Sequence, residues 1–195
     1  AAVAVGHELG LSDADIKKGL AAVRPFAGRM QLLRGIKNSI LIDDTYNSNP
    51  KSAIAALDVL QSGDAPQRIA ILGNMNELGA YSKEAHEQVG THCDPRKLDA
   101  VITIGLDAKQ FLAPVARTRG CEVHSFSGPY EAGKFVRSIL QEGAVVLAKG
   151  SQNGVFAEEA LKFLLADRKD VKKLVRQSPY WMRIKQKQFG GISAF

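Results

Sequence analysis

Residues 39–60, SILIDDTYNSNPKSAIAALDVL, read as a buried strand, a polar turn and an amphipathic helix. Ile40, Leu41 and Ile42 form a short apolar run that ends on two acids, Asp43 and Asp44. Asn49 stands where a helix cap belongs. Pro50 follows at the first helical position, where its missing N–H leaves no bond unmade. Ala53, Ile54, Leu57 and Leu60 recur at helical spacing, which predicts one buried face, and Gly63 predicts the stop. The stretch therefore sets carboxylates, a tyrosine and two asparagines at the carboxyl end of a strand, beside a helix N-terminus. Ligands of open α/β sheets sit at such ends, and free amides at a helix start suit phosphate or carboxylate groups. A well-capped turn without a ligand accounts for the same residues.

Outward from this unit the chain alternates. Strands are predicted at 31–36, 39–43, 68–72, 100–104, 122–126 and 144–148, and helices at 50–61, 82–92, 107–119, 130–141 and 156–166. Runs such as IAIL, AVITI and AVVLA are those of strands covered on both faces. The expected architecture is α/β, a mostly parallel sheet of about six strands with helices on both faces. Ahead of it, residues 1 to about 24 read as two helical segments, the second capped by Ser12. Pro25, Ala27 and Gly28 break the pattern as a linker does. The end, FGGISAF, is expected to fray.

The 195 residues suffice for one ordinary domain with appendages. A hydrophobic share of 45% and a charged share of 24% are those of a globular protein in water. No run approaches the ~20 apolar residues of a membrane span, and no signal-peptide pattern opens the chain. Cys93 and Cys121 make no framework and fit a reducing, cytoplasmic setting as plain thiols. The chain begins without methionine inside an apolar helical pattern, which suggests a piece of a longer polypeptide; artificial trimming is the alternative. The net charge of +6 is concentrated in RKDVKKLVRQ (168–177) and MRIKQK (182–187). No nucleic-acid-binding signature accompanies it, so a solvated basic face is expected, helped by anionic substrates. Tyr180, Trp181 and Met182 are expected to pack the tail rather than stack on bases.

Other stretches carry chemistry. In ILGNMNELG (71–79) a strand ends on a glycine-bracketed loop that lacks GxGxxG. AKGSQNG (148–154) follows another strand and is expected to open a helix, with Lys149 and the amides of Gly150 and Ser151 as a carboxylate or phosphate cradle. Asp44 is the acid best placed for ribose hydroxyls, and Tyr46 and Asn47 can flank a base. Asp43 points to the opposite side of its strand and reads as structural. His86, His92 and Cys93 match no zinc spacing, there is no nucleophile elbow, and GxxxxGK[ST] is absent.

Four ordered segments, GRM (28–30), DDTYNSNP (43–50), ILGNMNELG (71–79) and AKGSQ (148–152), resemble the carboxyl-terminal domain of the Mur ligase family. Its usual forms are close to GRM, DDSYNANP, LGDMLELG and KGSR. Within the family the likeness is greatest to the branch that joins D-alanyl-D-alanine to UDP-MurNAc-tripeptide. The 74–77 loop lacks the DNPR-like pattern of the diaminopimelate-adding branch. Another branch, or a nucleotide- or partner-binding module without catalysis, are the rival readings.

The resemblance implies a Rossmann-like domain at 29–167, preceded at 1–28 by the end of a central ATPase domain and a hinge, and followed by a basic tail at 168–195. It implies ATP and Mg2+, both bound mainly by the upstream domain, and an acyl phosphate attacked by the amine of D-alanyl-D-alanine. Arg29, Asp44, Tyr46 and Asn47 are then nucleotide-facing. Asn74, Met75, Asn76, Glu77, His86, Lys149 and Ser151 are then substrate-facing. Asn74 replaces a usual aspartate, and Gln152 a usual arginine.

Overall fold

The computed structural model describes residues 1–23 and 26–190. Pro25 of the expected linker and residues 191–195 of the expected frayed end lie outside them. Two short helices, α1 (Ala2–Glu8) and α2 (Asp13–Ala22), open the chain, and Ser12 caps α2 by accepting from the Asp15 amide. Gly6 is the one buried residue of the pair, seated against Ile16. Val3, Val5, Leu9, Leu20 and Val23 are left exposed.

Six strands form one sheet: β1 (Gln31–Arg34), β2 (Ile40–Asp44), β3 (Arg68–Gly73), β4 (Ala100–Ile104), β5 (Val123–Phe126) and β6 (Val145–Lys149). Their order is β1-β2-β6-β3-β4-β5. Every pairing is parallel except β1 with β2. That exception is a hairpin turned at Lys37 and Asn38, both at left-handed φ (54° and 50°), as a two-residue turn between twisted strands requires.

On one face lie α3 (Pro50–Ser62), α4 (Ser82–His92) and α5 (Ala113–Thr118), the last entered through a π-helical turn at Ala108–Leu112. Ile42, Leu57, Leu60, Leu72, Val89 and Leu147 fill the core beneath them. On the other face are α6 (Pro129–Ile139) and α7 (Glu158–Lys162), over Leu41, Ile71, Ile102, Val146, Leu161 and Leu164. Neighbouring residues of β2 and β6 thus feed opposite cores, the period-2 consequence of a sheet buried on both sides.

Helix α3 forms as its sequence dictates. The Asn49 side chain accepts from the Ser52 amide at 2.9 Å, and the Ser52 hydroxyl accepts in return from the Asn49 amide at 3.1 Å. Gly63 ends it in an extended conformation, φ −71°, so the stop owes nothing to left-handed freedom. After β2 and β3 the chain turns to the α3–α4 face, and after β6 to the α7 face. The crevice at the carboxyl ends of β2, β6 and β3 is where those connections part.

Two sequence expectations are corrected. AKGSQNG does not open a helix: the chain turns through Gly154 (φ 79°) and Phe156 (φ 49°), and α7 begins only at Glu158. The basic stretch beyond 167 is not simply a solvated face. A 3-10 turn (Arg168–Lys173) leads into α8 (Pro179–Phe189), whose Lys185 is wholly buried. Trp181 does pack inward, edge-on to Phe156 with ring centroids 6.1 Å apart, while Tyr180 stays exposed.

Candidate functional site

The site is built from the loop after each of the three central strands and from the segment just ahead of β1. Asp44, the last residue of β2, faces Lys149, the last residue of β6, its neighbour in register. The Lys149 ammonium donates to Asp44 Oδ2 at 2.5 Å and to the Asn47 carbonyl at 3.0 Å, and its side chain is only 2% exposed. Asp44 Oδ1 accepts from the Met30 amide at 3.1 Å. One acid thus joins the sheet edge to the GRM segment. A carboxylate has about four acceptor positions, and these bonds leave each oxygen a second one.

Gly28 lets GRM approach. It sits at φ 67°, and a Cβ there would lie 2.9 Å from the Tyr46 amide nitrogen and from Val175 Cγ1. The Tyr46 amide donates to the Gly28 carbonyl at 3.0 Å. Arg29 then lays its guanidinium over the Tyr46 ring, 4.3 Å from its centroid. A cleft of about 460 Å³ opens beside the pair, lined by Phe26, Ala27, Arg29, Tyr46 and Val175. Arg29 and Tyr46 are exposed beside it, and Asn47, the next residue along, is exposed as well.

The loop after β3 is fastened to the loop after β6. The Ser151 amide donates to the Asn74 carbonyl at 3.0 Å, and the Asn76 amide to the Ser151 hydroxyl at 2.8 Å. The Asn76 side chain donates to the Asn153 carbonyl. Gly150 and Gly73 permit this stacking, because a Cβ on Gly150 would stand 3.3 Å from Gly73 Cα and 2.8 Å from Val155. Glu77 is exposed at φ 65°, on the outer lip of the loop.

Asp44, Tyr46, Asn47 and Lys149 therefore share one rim with Arg29, and Asn76, Glu77 and Ser151 continue it. Five sequence-predicted residues, Asn74, Met75, His86, Lys149 and Ser151, do not reach it with free side chains. Met75 is buried in the core beneath α3 and α4. His86 is wholly buried, its Nε2 accepting from the Met75 amide at 3.0 Å and its Nδ1 facing the Ser82 carbonyl at 2.7 Å. That pattern needs a neutral ring protonated on Nδ1, and burial lowers its pKa from the ordinary value, against the Ser82 bond and the Asp107 charge. His86 is thus a post for the loop. Asn74 turns its side-chain oxygen Oδ1 to accept from the Ala108 amide at 2.9 Å, tying the loop after β3 to the π-helical turn after β4. The expected cradle at 149–151 is likewise engaged from within, because Lys149 and the Ser151 amide already have protein partners.

Behind the rim lies a buried ionic cluster that motif reading missed. Glu158 and Glu159 are wholly buried on α7 and meet Lys185 (2.8 and 2.6 Å), Lys162 (2.8 Å, to Glu159) and Arg176 (2.7 Å, to Glu158). The signal available was AEEALKFLL, two acids set among residues with helical apolar spacing.

Asp43 stands on the same side of the sheet. Its Oδ1 accepts from the Thr45 amide and hydroxyl, while its buried Oδ2 has no partner. Burial raises its pKa to about 6, against the lowering by Thr45. With the folded value above the unfolded one, its stabilising contribution is full below about pH 4 and lost as pH rises through about 6. Asp43→Asn is therefore expected to raise the melting temperature relative to the parent at pH 8, with the gain vanishing near pH 4. Paired thermal melts at the two values measure it, and an equal difference at both would refute the assignment.

Fold and rim together define an α/β domain that presents charged and aromatic groups at the switch point of a mostly parallel sheet. The chain belongs to the Mur ligase family: residues 28–152 match its glutamate ligase domain. It is 32% identical over 167 residues to a UDP-N-acetylmuramoyl-tripeptide–D-alanyl-D-alanine ligase of Synechocystis, covering 86% of this chain and 36% of that one. To the enzyme of that name from Escherichia coli it is 36% identical over 160 residues, covering 81% and 34%.

Among solved structures it superposes on MurF from Acinetobacter baumannii with a TM-score of 0.66 at 29% identity, covering 82% and 34%. For the MurF ligase of Thermotoga maritima in complex with ADP the TM-score is 0.68 at 25% identity, covering 88% and 37%. The chain spans about a third of the length of the curated relatives it matches.

Proposed function

We propose that this chain is the closing domain of an ATP-dependent, cytoplasmic amide ligase that adds D-alanyl-D-alanine to UDP-MurNAc-tripeptide in peptidoglycan precursor synthesis. The observation that carries the reading is the rim on which Arg29, Tyr46, Asp44 and Lys149 converge, in a chain whose relatives carry that activity in their names.

In this proposal residues 29–167 form the lid, 1–28 belong to the upstream ATPase domain and its hinge, and the exposed apolar side of α1 and α2 meets that domain. Arg29 supplies a planar fork to the phosphates. The second acceptor positions of Asp44 take the ribose hydroxyls, and Tyr46 with Asn47 faces the base. Asn76 and Glu77 face the incoming dipeptide, and the buried Ser151 hydroxyl holds the Asn76 amide behind them. Closure positions the reactants and excludes water, which protects an acyl phosphate from hydrolysis.

The triphosphate grip lies upstream, since no GxxxxGK[ST] occurs in these 195 residues. Among the described residues no group of three or more His, Cys, Asp or Glu is arranged to hold a metal ion. In this proposal magnesium accompanies the triphosphate and is bound mainly by the upstream domain.

In the full-length protein, Asp44→Asn is expected to raise KM for ATP about tenfold, the worth of a strong charge-assisted hydrogen bond. The KM for D-alanyl-D-alanine is expected to stay within twofold. Steady-state kinetics with each substrate varied in turn measure this, and an unchanged ATP KM would remove the nucleotide role.

A further inference from the structure

We propose that Arg176 is a positioning residue for the nucleotide-facing loop, held in place by α8 through Lys185. The inference rests on the nucleotide reading above. Thr45 and Tyr46 follow the end of β2, where the sheet no longer supplies partners for their carbonyls. Arg176 takes that part: its Nη2 donates to the Thr45 carbonyl at 2.6 Å and its Nη1 to the Tyr46 carbonyl at 3.2 Å. The same guanidinium forks onto Glu158, Nε to Oε1 at 3.0 Å and Nη2 to Oε2 at 2.7 Å. Only a planar group with five donors serves both sets at once, and a lysine at this position cannot.

The brace is as specific as the grip. Arg176 lies at φ 54°, a left-handed conformation uncommon for a residue with a side chain. Lys185 donates to the Arg176 carbonyl at 2.9 Å and to Glu159 at 2.6 Å, and stands 2.8 Å from Glu158. Next to it, Val175 packs on Gly28 and lines the cleft beside Arg29 and Tyr46. The 175–176 segment thus touches the Arg29–Tyr46 stack twice, Val175 from within the cleft and Arg176 through the Tyr46 carbonyl. It fixes the backbone from which the Tyr46 ring and the Asn47 side chain project. The basic stretch near the carboxyl end is, in this account, the back wall of the nucleotide subsite.

The test uses the full-length ligase with Arg176→Lys, Arg176→Ala and Asp44→Asn, varying ATP at saturating D-alanyl-D-alanine and then the reverse. The expected result is an ATP KM raised about tenfold in Arg176→Ala and by less in Arg176→Lys. The dipeptide KM should stay within twofold, and kcat should change less than the ATP KM. A residue that served folding alone would lower the active fraction, so kcat would fall while both KM values stayed, and that result overturns the proposal. If Arg176→Ala does not fold, Arg176→Lys alone decides on the same criterion. An ATP KM raised in Asp44→Asn but unmoved in the Arg176 variants overturns the positioning role and leaves the nucleotide reading standing. An ATP KM unmoved in Asp44→Asn removes both.

Discussion

Lys149→Met in the full-length protein is expected to lower kcat/KM for ATP by about a hundredfold and to destabilise this domain by about 3 kcal/mol. The ammonium is almost fully buried between Asp44 and the Asn47 carbonyl. Methionine fills a similar volume but leaves the Asp44 carboxylate without its cation in a site that water scarcely reaches. Removing one member of such a pair is costly because the other stays charged and desolvated. Asp44 retains some exposure, 11% of its side chain, which sets the loss at the lower end of the usual range.

The functional loss is expected to be larger than the stability loss implies, because Lys149 also fixes the carbonyl of Asn47 and hence the loop that carries Tyr46. Adding Asp44→Asn to Lys149→Met should recover part of the stability and none of the activity. Denaturant melts and ATP titrations on the two singles and the double measure this. A double variant as unstable as the sum of the singles would mean that the two side chains are not coupled.

The second large effect is expected at Lys185. Its ammonium is wholly buried between two wholly buried carboxylates, Glu158 and Glu159. Lys185→Met leaves Arg176 and Lys162 to neutralise them alone and frees the Arg176 carbonyl. Breaking such a cluster costs about 3–5 kcal/mol, or roughly 10 °C in melting temperature for a domain of this size.

Burial alone would raise the Glu159 pKa, but Lys185 and Lys162 more than offset it and hold the carboxyl below its ordinary value. That depressed value contributes stability above the ordinary glutamate range and loses it as pH falls through the folded pKa. The gap between parent and Lys185→Met should therefore narrow in acid. Thermal melts at pH 7 and pH 3 measure it, and a gap as wide at pH 3 as at pH 7 would contradict the electrostatic account.

The sheet was legible because buried parallel strands write themselves as continuous apolar runs. Five of the six strands begin and end within one residue of the places read from IAIL, AVITI, AVVLA and their like. Gln31–Arg34 is shorter than expected because the chain turns into a hairpin, after Gly35 makes an isolated bridge to Leu165. The capped helix at Pro50 was legible for the same local reason, since Asn49 and Ser52 complete a reciprocal cap within four residues.

The site was legible only in part. Asp44, Tyr46 and Lys149 sit at strand ends, where position along the chain already implies position in space. Side-chain direction inside the 74–77 loop follows from contacts with α4 and with the π-helical turn after β4 that no local pattern encodes, so Met75 goes to the core and Asn74 to the Ala108 amide. Arg176 and Lys185 were hidden in a run of basic residues. Only burial separates them from their solvated neighbours, and the partners that bury them, Glu158 and Glu159, lie nearly twenty or more residues upstream.

In the proposed ligase this domain brings its carboxyl-edge rim to the nucleotide. Irradiating the full-length protein with a photoreactive azido-adenine analogue of ATP, then mapping the labelled peptides, tests it most directly. The expected result is label on the 44–51 segment around Tyr46, displaced by excess ATP and reduced in Arg29→Ala. Label confined to residues upstream of Ala1, with the 44–51 segment unmodified, would contradict it.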